Sequence, residues 1–196
     1  ASEMLASRFG RGADVLVNNA AMNHMDTLAD IALADWNRVL SVNLTAFLIC
    51  AQIFGKAMLA RGEGSIVNVS SLAAEYLSPG QGAYSVAKAG VTMLSRALGI
   101  EWGPLGVRSN AVHPGLVNTP MSKATYDIPG VLEKRTQSIP VRRIAQSGEI
   151  ANTILFLASP LSSYINATEV RVDGGFAPNL LNLIPRFTGS DGKKSS

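Results

Sequence analysis

Short apolar runs alternate with long helical patterns along this chain, and no two runs are joined by a tight-turn dipeptide. "ADVLVNNAA" (13–21), "GEGSIVNVSS" (62–71), "GVRSNAVHPG" (106–115) and "TEVRVDGG" (168–175) read as four strands, the first over Asp14 to Val17. Ser2 to Phe9 reads as the end of an amphipathic helix stopped by Gly10. Further helices are predicted over 33–60, over 82–102 with Gly103-Pro104 as the stop, and over Gly148 to Ala158 with Ser147 as the cap. Residues 116–146 read as a loop with one short helix, and 181–196 as a partly disordered tail. Strands separated by helices and never by hairpins pair in parallel, through right-handed crossovers. The expected class is therefore α/β, a doubly wound parallel sheet in a single domain over 1–180. In such sheets ligands sit beyond the carboxyl ends of the strands. That singles out Asn18 to Ala21, Ser70-Ser71 and Pro114 to Thr119.

Several functions are excluded by what the chain lacks. Its 17 basic and 14 acidic residues are scattered, with no clustered stripe for nucleic acid. The longest apolar stretch, Leu44 to Ala60, is interrupted by Thr45, Gln52 and Lys56, so no membrane partner is expected. One cysteine, Cys50, allows no internal disulfide, and a reducing, cytoplasmic setting is the expectation. Two histidines and one cysteine, far apart, make no metal site. His24 and His113 read as packing or pocket residues rather than bases. A Gly-x-Ser-x-Gly nucleophile elbow is missing.

"GAYSVAKAG" (82–90) carries one phenol and one ammonium among small residues. Tyr84 and Lys88 are four apart on a predicted helix and share a face. An ammonium beside a phenol favours the phenolate and lowers its pKa, which suits general acid–base work. The small neighbours Ala83, Ser85, Ala87, Ala89 and Gly90 leave room for something bulky. Ser71, at a strand's carboxyl end, can donate to an oxygen that gains negative charge. Asn43 lies inside a long helix among Val42, Leu44, Phe47 and Leu48, where a buried amide needs partners.

"NNAA", "VNL", "GSIVNVSS", "YSVAK" and "HPGLVNTPM", in this order and spacing, resemble the short-chain dehydrogenase/reductase family from residue 1 to "VDGG" at 172–175. The resemblance implies a Rossmann-like fold and a catalytic tetrad of Asn43, Ser71, Tyr84 and Lys88. It implies that Tyr84 exchanges the proton with the substrate oxygen and that Ser71 orients and polarises that oxygen. It gives Lys88 the tasks of lowering the tyrosine pKa and binding the nicotinamide ribose. Asn43 is implied to kink its helix and hold a relay water through its carbonyl. NAD or NADP is the implied cofactor, met by Asn18, Ala20, Ala21, Tyr84, Lys88, Pro114, Val117 and Thr119. Ala21 stands where the family has glycine.

The family begins with a strand, a glycine-rich phosphate loop and a helix, and this sequence holds no Gly-x-Gly-x-x-Gly. The expectation is a chain lacking the first βαβαβ portion, roughly 60 residues at about 30 per βαβ unit. The reading is an oxidoreductase interconverting a secondary alcohol and a ketone, like 3-oxoacyl thioester reductases or hydroxysteroid dehydrogenases. The alternative is a non-catalytic chain that keeps the fold for association. The resemblance further implies a homotetramer or homodimer through the two long helices. It also implies a substrate pocket lined from 116–140 and from Met22 to Met25.

Overall fold

The computed structural model describes residues 2–179. The expected 181–196 tail lies outside them. In chain order come α1 (Ser2–Phe9), β1 (Val15–Asn18), α2 (Leu33–Leu40), a π-helical turn (Ser41–Thr45), α3 (Ala46–Arg61) and β2 (Gly64–Val69). Then follow α4 (Gly82–Trp102), β3 (Val107–Pro114), β4 (Val117–Asn118), α5 (Pro120–Tyr126), α6 (Val131–Ser138), β5 (Ala145–Gln146), α7 (Ser147–Ala158) and β6 (Glu169–Val172). The main sheet has the order β1-β2-β3-β6 and every pair is parallel, as the alternation of elements requires. The register aligns Asn18 with Asn68 and Asn68 with Ala111.

The two faces of β2 separate by its period of two. Ile66 packs with Ala51 and Met58 of α3 and Leu98 of α4. Val67, on the opposite face, packs with Ile150 and Leu157 of α7. Helices thus cover both faces, and all four strands end on the side where Ser70, Ser71 and Pro114 lie.

The helix from Leu33 to Arg61 buries Val39, Asn43, Phe47, Ala51, Gly55 and Met58. In a straight α-helix a four-residue spacing walks around the axis by about 40° per step. The wider turn at Ser41–Thr45 absorbs an extra residue and brings the stripe back onto one face. As one helix of 29 residues, Leu33–Arg61 is long and apolar enough to cross a membrane, although its apolar stretch is interrupted. Here it is a packing helix, with Val39 against Ala83 and Ala87 and Met58 under the sheet.

Three sequence expectations need correction. The first strand is shifted by one residue to Val15–Asn18, and the long strands are shorter than their apolar runs. Residues 116–146 hold two helices and two short strands, where a loop with one helix was expected. α6 has no buried residue and so carries no apolar period to read. α7 starts at Ser147, whose hydroxyl donates to the Asn118 carbonyl (3.2 Å). Its first turn is closed by Glu149, whose carboxylate accepts from the Gln146 N–H (2.9 Å).

Candidate active site

Tyr84 and Lys88 stand one turn apart near the start of α4. Lys88 is 1% exposed, and its Nζ donates to the carbonyl of Val69, the last residue of β2, at 2.8 Å. The ammonium also lies 5.2 Å from the Phe47 ring centre and 5.7 Å from that of Tyr84. Burial pulls its pKa down to about 8, so it still carries its charge at neutral pH.

Tyr84 departs from expectation. Its pKa is raised, because burial of the phenol outweighs the hydrogen bond from Ser71, which lowers it. The ammonium does not lower it: Nζ is turned to Val69 and lies over the ring, away from direct contact with the hydroxyl. The small residues of "GAYSVAKAG" also serve another purpose. Ala83 and Ala87 are buried against Val39, with Trp36 and Leu44 packed on the same cluster. A Cβ on Gly90 would meet Leu44 Cδ2 at 2.7 Å. They allow two helices to approach closely, and Ala89 lines a cleft with Thr92 and Met93.

Ser71 follows β2 and opens a short 3-10 turn, Leu72–Ala74, its Oγ accepting from the Ala73 N–H (3.1 Å). Asn43 is completely buried within the π turn. Its Nδ2 donates to the Met22 and Val39 carbonyls (both 2.9 Å), and its Oδ1 accepts from the Met22 N–H (3.1 Å). The amide therefore holds the segment after β1 at both its donor and its acceptor. A π turn is a common device where a helix must re-aim one residue.

The remaining predicted residues divide by where their side chains go. Asn18 is buried and faces the core, donating to Asn68 Oδ1 (2.9 Å) and reaching the Phe47 carbonyl (3.4 Å). Ala20 is exposed and Ala21 half-buried in the following segment. Pro114 ends β3 and Val117 lies in β4. The Thr119 hydroxyl caps α5 by accepting from the Ser122 N–H (3.3 Å), while Ser122 Oγ accepts from the Thr119 N–H (3.0 Å). The loop 116–141 lines a cleft with Leu116, Ile139 and Val141, and Tyr84 is not part of it.

Sequence reasoning passed over the partners behind these groups. Asn68 Nδ2 reaches Ser95 (3.1 Å) and Ser109 (3.3 Å), and those two hydroxyls lie 3.1 Å apart. The Ser109 N–H donates to Asn166 Oδ1 (2.9 Å), and Asn166 Nδ2 donates to the Gly99 carbonyl (2.8 Å). Ser70, Thr92, His113 and Glu75 form a second set, running from buried Ser70 and His113 through half-buried Thr92 to exposed Glu75. The doubled serine at 70–71 was the one visible signal, since neighbours at a strand end point in different directions.

A nicotinamide coenzyme fits what is present. An ammonium has three donors, and among the described residues Lys88 Nζ has one hydrogen-bond acceptor, Val69. Two N–H bonds remain for a ribose or a water. Against known proteins, the family model described as enoyl-(acyl carrier protein) reductase matches residues 1–177. The chain belongs to the short-chain dehydrogenase/reductase family. The D-threitol dehydrogenase of Mycolicibacterium smegmatis is 37% identical over 90% of this chain and 67% of its own length. The 3-oxoacyl-[acyl-carrier-protein] reductase of Synechocystis sp. is 39% identical over 83% of this chain and 64% of its own. A gluconate 5-dehydrogenase from Burkholderia cenocepacia, solved with NADP and tartrate, superposes with a TM-score of 0.86 at 30% identity. That match covers 91% of this chain and 69% of the solved one. The chain thus spans about two thirds of the length of these short-chain dehydrogenase/reductase relatives.

Proposed function

We propose that the protein to which this chain belongs is an NAD(P)-dependent oxidoreductase that interconverts a secondary alcohol and a ketone, with Tyr84 as its acid and base. The observation that carries this reading is the meeting of three groups at the carboxyl end of β2: the Ser71 hydroxyl close enough to the Tyr84 phenol to lower its pKa, with Lys88 buried one turn away. In the reducing direction Tyr84, which keeps its proton at neutral pH, donates it to the carbonyl oxygen. Ser71 donates to the same oxygen as negative charge develops there. Lys88, charged and held by Val69, keeps N–H bonds free for the coenzyme ribose beside the phenol. Asn43 fixes the Met22 segment that borders the site. A bound nicotinamide coenzyme supplies or accepts the hydride.

The relatives are named for D-threitol, gluconate and 3-oxoacyl-[acyl-carrier-protein], which supports an alcohol or ketone as the substrate class. Assembly as a homodimer or homotetramer is supported by exposed apolar residues on the outer faces of the two long helices: Leu48, Ile49 and Ile53 on α3, Val86, Met93 and Ile100 on α4. The cytoplasm is the compartment that the single cysteine favours. The test is Tyr84→Phe in the whole protein, with polyols and ketones as substrates. A loss of at least ~10²-fold in kcat is expected for a missing general acid. Retention of more than about a tenth of the activity overturns the acid–base assignment.

A further inference from the structure

Ser70 and Ser71 stand side by side yet serve different elements. Ser71 opens the Leu72–Ala74 turn toward Tyr84. The buried Ser70 hydroxyl donates to the Lys88 carbonyl at 2.8 Å and lies 2.9 Å from Thr92 Oγ1. Thr92 Oγ1 is 3.0 Å from His113 Nε2, and His113 Nδ1 is 3.1 Å from Glu75 Oε1. Glu75 ends the turn that Ser71 begins, its N–H bonded to the Leu72 carbonyl (3.0 Å). These contacts close a ring: Ser70, Thr92, His113, Glu75 and back through the backbone of 71–74.

The protons in this ring can be assigned. A carboxylate only accepts, so His113 carries its hydrogen on Nδ1 and donates it to Glu75. Nε2 then accepts from the Thr92 hydroxyl, which also lies 3.1 Å from the Lys88 carbonyl, and Ser70 supplies that carbonyl's shorter bond. His113 has no exposed surface, and burial lowers its pKa, against the pull of Glu75 and Glu169. Arg171 pushes it the same way as burial, and Arg96 lines the adjoining cleft of about 210 Å³. A neutral ring is what this hydrogen-bond pattern needs. The two nitrogens bind partners on different elements, Glu75 after the Ser71 turn and Thr92 on α4, so the ring ties those elements together.

We propose that His113 is a positioning residue, which clamps the turn bearing Ser71 to the helix bearing Tyr84 and Lys88 and so fixes the contact between Ser71 and Tyr84. It touches neither substrate nor cofactor; it acts from β3, through Glu75 on one side and Thr92 on the other. The proposal rests on the reading of Tyr84 as acid and base, and its test separates the two.

The variants are Thr92→Val, which removes one hydroxyl at constant shape, Thr92→Ser, which restores it, and His113→Gln. Two quantities are measured: the alkaline titration of Tyr84 by ¹³Cζ-tyrosine NMR, and kcat and KM of the whole protein. In Thr92→Val the turn loosens, Ser71 drifts, and Tyr84 loses the hydrogen bond that lowers its pKa. Its titration then moves to higher pH, and kcat falls by about 10–100-fold for a misplaced group, with KM within about twofold. Thr92→Ser returns both to wild type. If Thr92→Val and His113→Gln leave the Tyr84 titration where it was, His113 merely packs and the proposal is overturned, whatever kcat does. Failure of Thr92→Ser to rescue overturns it as well. If the titration moves as expected while Tyr84→Phe stays active, the clamp stands and the acid–base reading falls.

Discussion

Under α4 the polar side chains of the sheet are closed over: Asn68, Ser95 and Ser109 bond one another, and Asn166 ties the far end to Gly99. At β1 the sheet meets solvent. Among the described residues β1 pairs only with β2, and Val15 and Val17 are 39% and 42% exposed. The ions near that edge, Arg11, Asp14 and Arg61, lie on the surface and are worth little. The difference follows from what each region must hold. Orienting a phenol and an ammonium requires a dry, fully bonded support, whereas an open strand edge is a template for further pairing. The groups proposed to do the chemistry are thus carried by the closed region.

The largest expected effect tests that division directly. The 196-residue chain holds no Gly-x-Gly-x-x-Gly, the glycine-rich loop that sets a pyrophosphate on a helix N-terminus. Expressed by itself, it is expected to show no heat of binding with NADH or NADPH and to be poorly soluble. Micromolar binding to a soluble, cooperatively folding product would show that the edge needs no completion.

Next in size is a pH effect within the closed region. The folded-state pKa of Lys88, about 8, lies below its ordinary 10.5, so the folded chain releases this proton first. Below pH 8 both states are charged and the burial cost is borne in full. Between about 8 and 10.5 the unfolded state binds more protons, and stability rises with pH by about 3 kcal/mol from this group. Urea denaturation at neutral and alkaline pH should reveal the rise in wild type and its loss in Lys88→Met. Equal pH slopes in the two proteins would show that the ammonium is better solvated than its burial implies.

Asn68→Ala removes the acceptor for Asn18 and the donor to Ser95 and Ser109. Stability should drop by about 2 kcal/mol, the usual cost of buried groups left without partners. A change below the error of a thermal melt would mean that the serines and Asn18 re-pair among themselves. Smallest of all, Val17→Lys at the open edge should alter stability by less than about 0.5 kcal/mol while raising solubility, as an edge charge blocks pairing. A substantial loss of stability there would show that Val17 is covered after all.

How far the sequence could be read follows the same division of local from distant signals. α4 was legible to the residue, because Gly103-Pro104 stops it and its apolar period is unbroken. Asn43, Ser71, Tyr84 and Lys88 were visible through short motifs. Their partners were not: Lys88 bonds Val69 nineteen residues away, and Asn43 clamps Met22 from across twenty-one. The lowering of the tyrosine pKa was expected from spacing alone, and the structure reverses it because spacing says nothing of burial. The segment 116–146 was misread because α6 buries none of its residues and α5 is announced only by Thr119 and Ser122.

The wide turn at Ser41–Thr45 carries a consequence for how this chain can change by insertion and deletion. It is one residue longer than the α-helical turn it replaces, so the helix on either side of it is read in a different frame. Losing a single codon inside that turn would not shorten a loop; it would restore an uninterrupted α-helix with α2 and α3 still facing as they do, at the cost of the turn that aims Asn43. Losing a codon within α3 would instead swing the two sides of the gap by about 100° relative to each other, so that Val39 and Met58 could not both keep their places. Single-residue gaps should therefore be purged from α2 and α3, whereas a gap inside the wide turn would be felt at Asn43.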